Sequence, residues 1–154
     1  MLAYLDNAQN AVNHVNENYA RELLELHTLG VRGGYSQHDV QELARVLTGF
    51  GINHKDPAHA DVPKLRRELA GQYVREGLFE FNPNRHDYGD KTVLGHTIRG
   101  RGAAELDEVL DLLSRHPATA RNVSAKIARY LVADEPAPEL VDAMAREFQR
   151  TAKR

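Results

Sequence analysis

Apolar residues recur along most of this chain at helical spacing, and only briefly at the alternating spacing of a strand. In the stretch NENYARELLELHTLG, Tyr19, Ala20, Leu23, Leu24 and Leu26 share one side of a helix. Asn16 or Asn18 supplies its N-cap, the helix runs to about Leu29, and Gly30 stands where a C-terminal glycine belongs. Gly33-Gly34 breaks the chain. Ser36 is a good N-cap for the next helix, with Asp39 at the third helical position and Tyr35 and Val40 placed as a hydrophobic staple. That helix presents Val40, Leu43, Ala44 and Leu47 on one face and stops at Gly49. Residues 50–63 read as loop. KLRRELAGQYV predicts a helix through Leu65, Leu69 and Tyr73, which Gly71 weakens. LFEF and KTVLGHTI alternate like strands, and the turn-rich segment NPNRHDYGD separates them, so one small hairpin with a long loop is expected. Three further helices follow. One carries Leu106, Val109, Leu110 and Leu113. The next starts at Pro117, with Ala120, Val123, Ile127, Tyr130 and Leu131 as its apolar face, and ends at DEPAP. The last carries Leu140, Val141, Met144 and Phe148. The pattern predicts a mainly α protein: five or six amphipathic helices and one two-stranded β-hairpin, in a single helical domain over residues 1–154.

Composition narrows the function classes. Twenty Lys and Arg against 22 Asp and Glu leave a net charge of −2, which gives no electrostatic footprint for nucleic acid. Cysteine is absent, which excludes disulfides and thiolate metal sites. No apolar run is long enough to span a membrane. The N-terminal MLAYLDNAQN lacks the basic start and apolar core of a signal peptide.

Charged residues crowd the first helix. Glu17, Arg21 and Glu25 follow at i, i+4 and i+8, a surface ladder in which Arg21 can pair with either glutamate. At about 100° per residue, His27 falls on the apolar side, while Glu22 and Glu25 lie roughly 140° and 160° away from it. His27 therefore reads as a core histidine, and neither carboxylate can share a metal with it from this helix. Glu22 flanks Leu26 and Leu29, so it is expected to be half buried and in need of a partner.

The loop FNPNRHDYGDKTVLG holds the densest candidate chemistry. His86 and Asp87 are adjacent, with Asp90 and Lys91 close behind. A histidine beside carboxylates can ligate a metal or act as a general base. The bland alternative is that Asp87 and Asp90 hold the turn through side-chain to backbone hydrogen bonds. His116, before Pro117, is either a third ligand or a last-turn residue complementing a helix dipole. His38, His54 and His59 read as surface residues. No nucleophile elbow, zinc-protease helix or phosphate loop is present. GHTIRGRGAAE reads as a strand ending at Ile98 and a turn into a helix capped near Gly102.

Taken in order, NENYARELLELHTLGVRGGYSQHDVQELARVLTGF, HDYGDKTVLG and HPATARNVSAKIARYLVADEP resemble the bacterial family catalogued as domain of unknown function 1800. The resemblance covers about Leu2 to Phe148. It implies a downstream portion of longer, often exported proteins. It also implies an upstream segment rich in histidines, like Trp-His-Asn-His-Phe, which has no counterpart here. The matching motif positions are Asn16, Glu17, Asn18, Arg21, Glu22, His86, Asp87, Lys91 and His116, with His27 matching less well. Two functional readings stay open. One is a helical scaffold or binding module of a larger exported envelope protein, partnered by the upstream region or by another protein. The other is part of a metal-dependent, hydrolase-like enzyme. Its catalytic residues would be His86, Asp87 and Glu22, and a divalent metal would sit on His86, Asp87 and His116.

Overall fold

The computed structural model describes residues 2, 5–55 and 63–151. Its elements in chain order are α1 (Asn18–Glu22), a π-helical turn (Leu23–His27), α2 (Gln37–Val46), β1 (Phe50–Ile52), β2 (Val74–Glu76), β3 (Phe79–Phe81), β4 (Lys91–Val93), β5 (His96–Ile98), α3 (Ala104–Arg115), α4 (Pro117–Leu131) and α5 (Pro138–Thr151). Helices dominate, as the periodicity predicts, but the β content exceeds one hairpin: five strands form two antiparallel sheets. Within the span expected as one domain, the chain has two compact units. One comprises Met1–Arg21 with Gln37–Glu108, the other Glu22–Ser36 with Val109–Arg154.

In the first unit, LFEF does not pair with KTVLGHTI. β3 is the central strand of a three-stranded sheet, between β1 and β2. Phe50 lies opposite Phe81, and their rings pack with centroids 4.8 Å apart. The predicted loop at residue 50 is thus strand β1, and the predicted helix over KLRRELAGQYV is a 3-10 turn at Arg67–Gln72 that runs into β2. Segments this short carry too few periodic positions to declare their type. KTVLGHTI is a hairpin by itself, with Lys91 opposite Ile98 and Val93 opposite His96. Its turn places Leu94 and Gly95 at positive φ, 50° and 77°, as a two-residue hairpin turn of the primed type requires. Leu94 is a poor residue for that conformation. Its N–H is held by Asp39 Oδ1 at 2.7 Å.

Asp39 is one of three α2 side chains that grip this hairpin. Glu42 Oε2 accepts the Thr92 N–H at 2.7 Å, and Arg45 donates to the Asp90 carbonyl. The positions i, i+3 and i+6 lie along one helix face, opposite the apolar face of Val40, Leu43 and Leu47. The Asn-rich lead-in has a matching job at the other end of α2. Asn10 donates to the Ala44 carbonyl at 2.8 Å and Asn7 to the carbonyls of Leu47 and Phe50. Both asparagines are fully buried, and they bond carbonyls in the last turn of α2, just after it and at the start of β1.

The opening helix departs from its prediction at Glu22, where the second unit begins. It is α-helical only to Glu22 and continues as a π turn. Buried Leu23 and Leu24 are followed by buried Thr28 and Leu29, five residues on, rather than by His27 and Thr28, four residues on. A π turn carries i→i+5 hydrogen bonds, so it adds one residue to the repeat. His27 is consequently exposed, which corrects its reading as a core histidine. Thr28 takes the interior place and its hydroxyl donates to the Leu23 carbonyl at 2.7 Å. Gly30 ends the turn at φ 84°, with its N–H bonded to the Leu24 carbonyl. A Cβ at Gly30 would stand 2.9 Å from the Asn122 side chain, which donates to the Thr28 carbonyl.

α4 starts at Pro117 as expected and buries Ala120 of its expected face, but the rest of its buried face differs. Thr119, Ala120, Ser124 and Ala128 are inside, whereas Ile127, Tyr130 and Leu131 are 43%, 89% and 71% exposed. The helix packs through its small side chains and leaves the larger apolar ones outside. α5 packs along α4, with Val141 buried. α3 begins in the first unit and ends in the second. No helix among the described residues is long and apolar enough to cross a membrane.

Candidate functional site

The loop 82–90 starts as a short 3-10 turn because Pro83 fixes its first φ and Asn82 caps it by accepting the Asn84 N–H. The chain then enters the interior at His86. Its ring is completely enclosed, edge-on to Phe81 and Tyr88 with centroids 5.3 and 5.0 Å away. Nδ1 lies 2.8 Å from the Thr48 carbonyl oxygen, and Nε2 lies 2.9 Å from Glu105 Oε1. Both ring nitrogens are thus engaged by oxygen acceptors, one of the backbone and one of the Glu105 carboxylate, and neither faces open space.

Glu105 is the centre of the site. It is fully buried, the second residue of α3 and three residues after Gly102. Oε1 reaches back to accept the N–H groups of Arg101 (2.7 Å) and Gly102 (2.9 Å), half of a capping box, while also receiving His86. Oε2 receives the Lys91 ammonium at 2.5 Å. Lys91 is itself buried and donates to the Asp87 carbonyl as well. Burial pushes the Glu105 carboxyl up, but hydrogen bonds from His86 and Lys91 outweigh it and hold the group below the ordinary carboxylate range. Burial and the Glu105 charge raise the Tyr88 phenol.

Asp87 faces a different partner. Arg45 meets it with two nitrogens, at 2.8 and 3.3 Å, and meets Glu42 at 2.7 Å. Asp87 also accepts the Gly89 N–H at 2.8 Å. Burial raises its carboxyl, and the Arg45 and Gly89 hydrogen bonds lower it further than burial raises it. Asp90 accepts the Gly100 N–H and pairs with Arg99 at 2.5 Å. Both aspartates thus hold backbone turns, as the bland reading predicts. Thr48 joins the two halves: its hydroxyl donates to the Arg45 carbonyl (2.6 Å) and accepts the Asp87 N–H (2.8 Å).

The other expected site residues lie elsewhere. Glu22 is partly exposed and makes no side-chain hydrogen bond or ion pair among the described residues. The π turn removes the roughly 140° that separates Glu22 from His27 on an α-helix, yet no hydrogen bond forms between them among the described residues. His116 is an N-cap, not a last-turn histidine: its Nδ1 accepts the Ala118 N–H at 3.2 Å, ahead of Pro117. Asn16 caps α1 by accepting the Asn18 N–H at 2.9 Å. Glu17 and Arg21 pair at 3.2 Å, but Arg21 turns to Gln37 at 2.8 Å as its other partner. His38 and His54 are exposed, and His59 lies outside the described residues. Among the described residues no group of three or more His, Asp or Glu side chains is placed to hold a metal ion.

Sequence reasoning reached His86, Asp87 and Lys91 but missed Glu105, Arg45 and Thr48. The Gly102 cap was visible; a glutamate three residues after a cap is the signal that finds Glu105.

Fold and site together define a mainly helical α/β protein whose most concentrated chemistry is an enclosed His–Glu–Lys ion cluster. The chain belongs to the family described as protein of unknown function (DUF1800), whose model matches residues 1–154, the whole chain. No curated protein and no solved structure matches it.

Proposed function

We propose that this chain is a scaffold or binding module of a larger exported envelope protein, and that the His86–Glu105–Lys91 cluster braces it rather than performing a reaction. The larger protein and its export rest on the family resemblance. The brace rests on one observation: both ring nitrogens of His86 and both oxygens of Glu105 are engaged inside the first unit. A general base or metal ligand needs a lone pair and a route to its substrate, and His86 would have to leave Glu105 to offer either.

Elemental analysis of the purified protein and of His86→Ala, paired with urea denaturation, tests this. The brace reading expects no stoichiometric metal in the wild type and a marked loss of stability in the variant. One equivalent of a divalent metal, lost in a His86→Ala protein of unchanged midpoint, would overturn it in favour of a metal-dependent hydrolase-like site.

A further inference from the structure

An open groove in the second unit points to what such a module would bind. It has a volume of about 650 Å³ and runs between the end of the π turn and α4. Four cations line it, Arg32, Arg121, Lys126 and Arg129, against one anion, Glu25. The lining is therefore +3 in a chain whose net charge is −2. Arg121 is paired with Asp142, and Lys126 donates to the Leu26 carbonyl. Arg32 and Arg129 are exposed and have no ion-pair partner among the described residues. Between these charges stand apolar side chains that the fold leaves uncovered: Leu26 is 50% exposed and Val31 is 73% exposed. Exposed apolar residues set together among mostly cationic side chains suit an interaction surface better than a solvated face.

We propose that this groove binds an acidic amphipathic helix of a partner protein. Such a helix lays leucine-like residues at i and i+4 on Leu26 and Val31 and places carboxylates against Arg32 and Arg129. The Arg121–Asp142 pair shows the same pairing already made within the chain, by a carboxylate of α5 reaching a groove arginine. The inference rests on the binding-module reading and supplies its partner class. Its test is independent of metal content, so either can fail alone.

The probe is a fluorescein-labelled 18-residue helical peptide with Leu and Glu at i, i+4 spacing, titrated by anisotropy against the full chain. Saturable binding is expected, weakening as salt rises from 50 to 500 mM. An Arg32→Glu/Arg129→Glu variant with an unchanged circular dichroism spectrum should bind about tenfold more weakly or less. Arg129→Ala takes its place if the double variant loses helical signal. Four results overturn the proposal: no saturable binding, equal binding by the variant, equal binding of a Leu/Lys peptide, or equal binding of a Glu peptide lacking leucine. Binding of phosphatidylglycerol vesicles but not of the peptide, lost in the same variant, would assign the groove to a membrane surface instead.

Discussion

Replacing Glu105 by glutamine keeps the shape of the side chain and removes its charge, which isolates the electrostatic role of the cluster. The carboxylate receives four donors in the native protein: the N–H groups of Arg101 and Gly102, the His86 ring and the Lys91 ammonium. A glutamine offers one acceptor oxygen and one NH2 group. Whichever way it turns, at least one of those donors faces another donor. The buried Lys91 ammonium also loses its counter-charge. Breaking a buried ion pair from one side costs about 3–5 kcal/mol, a large share of the roughly 5–15 kcal/mol that holds a domain together. With an m-value of about 2 kcal/mol per molar urea, the unfolding midpoint should fall by about 1.5–2.5 M. The acid limb gives a second readout. The folded carboxyl of Glu105 lies below the ordinary glutamate value of 4.5. Its contribution is therefore complete above about pH 4.5 and is lost as pH falls through the depressed folded value. Wild type should lose stability across that window, and Glu105→Gln should lose less of it. A midpoint shift below about 0.5 M, with acid limbs of equal slope, would refute the claim that this carboxylate holds the interior together.

Three other outcomes test the remaining geometry. Leu24→Ala removes a fully buried side chain and should cost about 2–5 kcal/mol. Leu26→Ala, two positions on but half exposed, should stay within about 0.5 kcal/mol of wild type; similar midpoints for the two in urea would contradict the placement of the π turn. Gly30→Ala and Gly34→Ala both force a Cβ into φ 84°, but only the first meets a neighbour, Asn122. Both should lose about 1–2 kcal/mol from backbone strain, with Gly30→Ala the worse by at least about 1 kcal/mol in thermal unfolding. Leu94→Asn places a residue suited to the left-handed turn and should raise the melting temperature by a few degrees, an increment of about 1 kcal/mol; a lower melting temperature would show that the Leu94 side chain is needed.

Long periodic segments were legible in the sequence. α2, α3, α4 and α5 stand where apolar spacing, Pro117 and the glycine stops place them. Of the short strands, alternation marks LFEF and KTVLGHTI, but β1 and β2 share no period with anything, and LFEF finds its partners there, at residues 50–52 and 74–76, rather than along the hairpin after it. Leu94-Gly95 hides a hairpin turn because leucine is no turn signature, and the stabilising contact comes from Asp39, 55 residues away. The first helix misled by the reverse route: its sequence obeys the 3.6-residue repeat through His27, and nothing local announces that the backbone will not. At the site, the histidine and the loop carboxylate could be named from their types. Their partners lie on α2, just after it at Thr48, and on α3, reached through folding alone. Ala120 is buried as its spacing predicts, but beyond it hydrophobic size is a poor guide to the α4 face, because Ser124 and Ala128 are buried for being small.

The π turn makes the first helix one residue too long for its own phase. Deleting a single residue from 23–27 would let an ordinary α-helix run through with its phase restored, because Thr28 would then stand four residues after Leu23 and Leu29 four after Leu24, still on the interior side. The same cut within α2 would turn every later side chain by about 100°. A one-residue deletion should therefore be tolerated better in the π turn than in α2, and the turn is the one place in this helix where its length has slack.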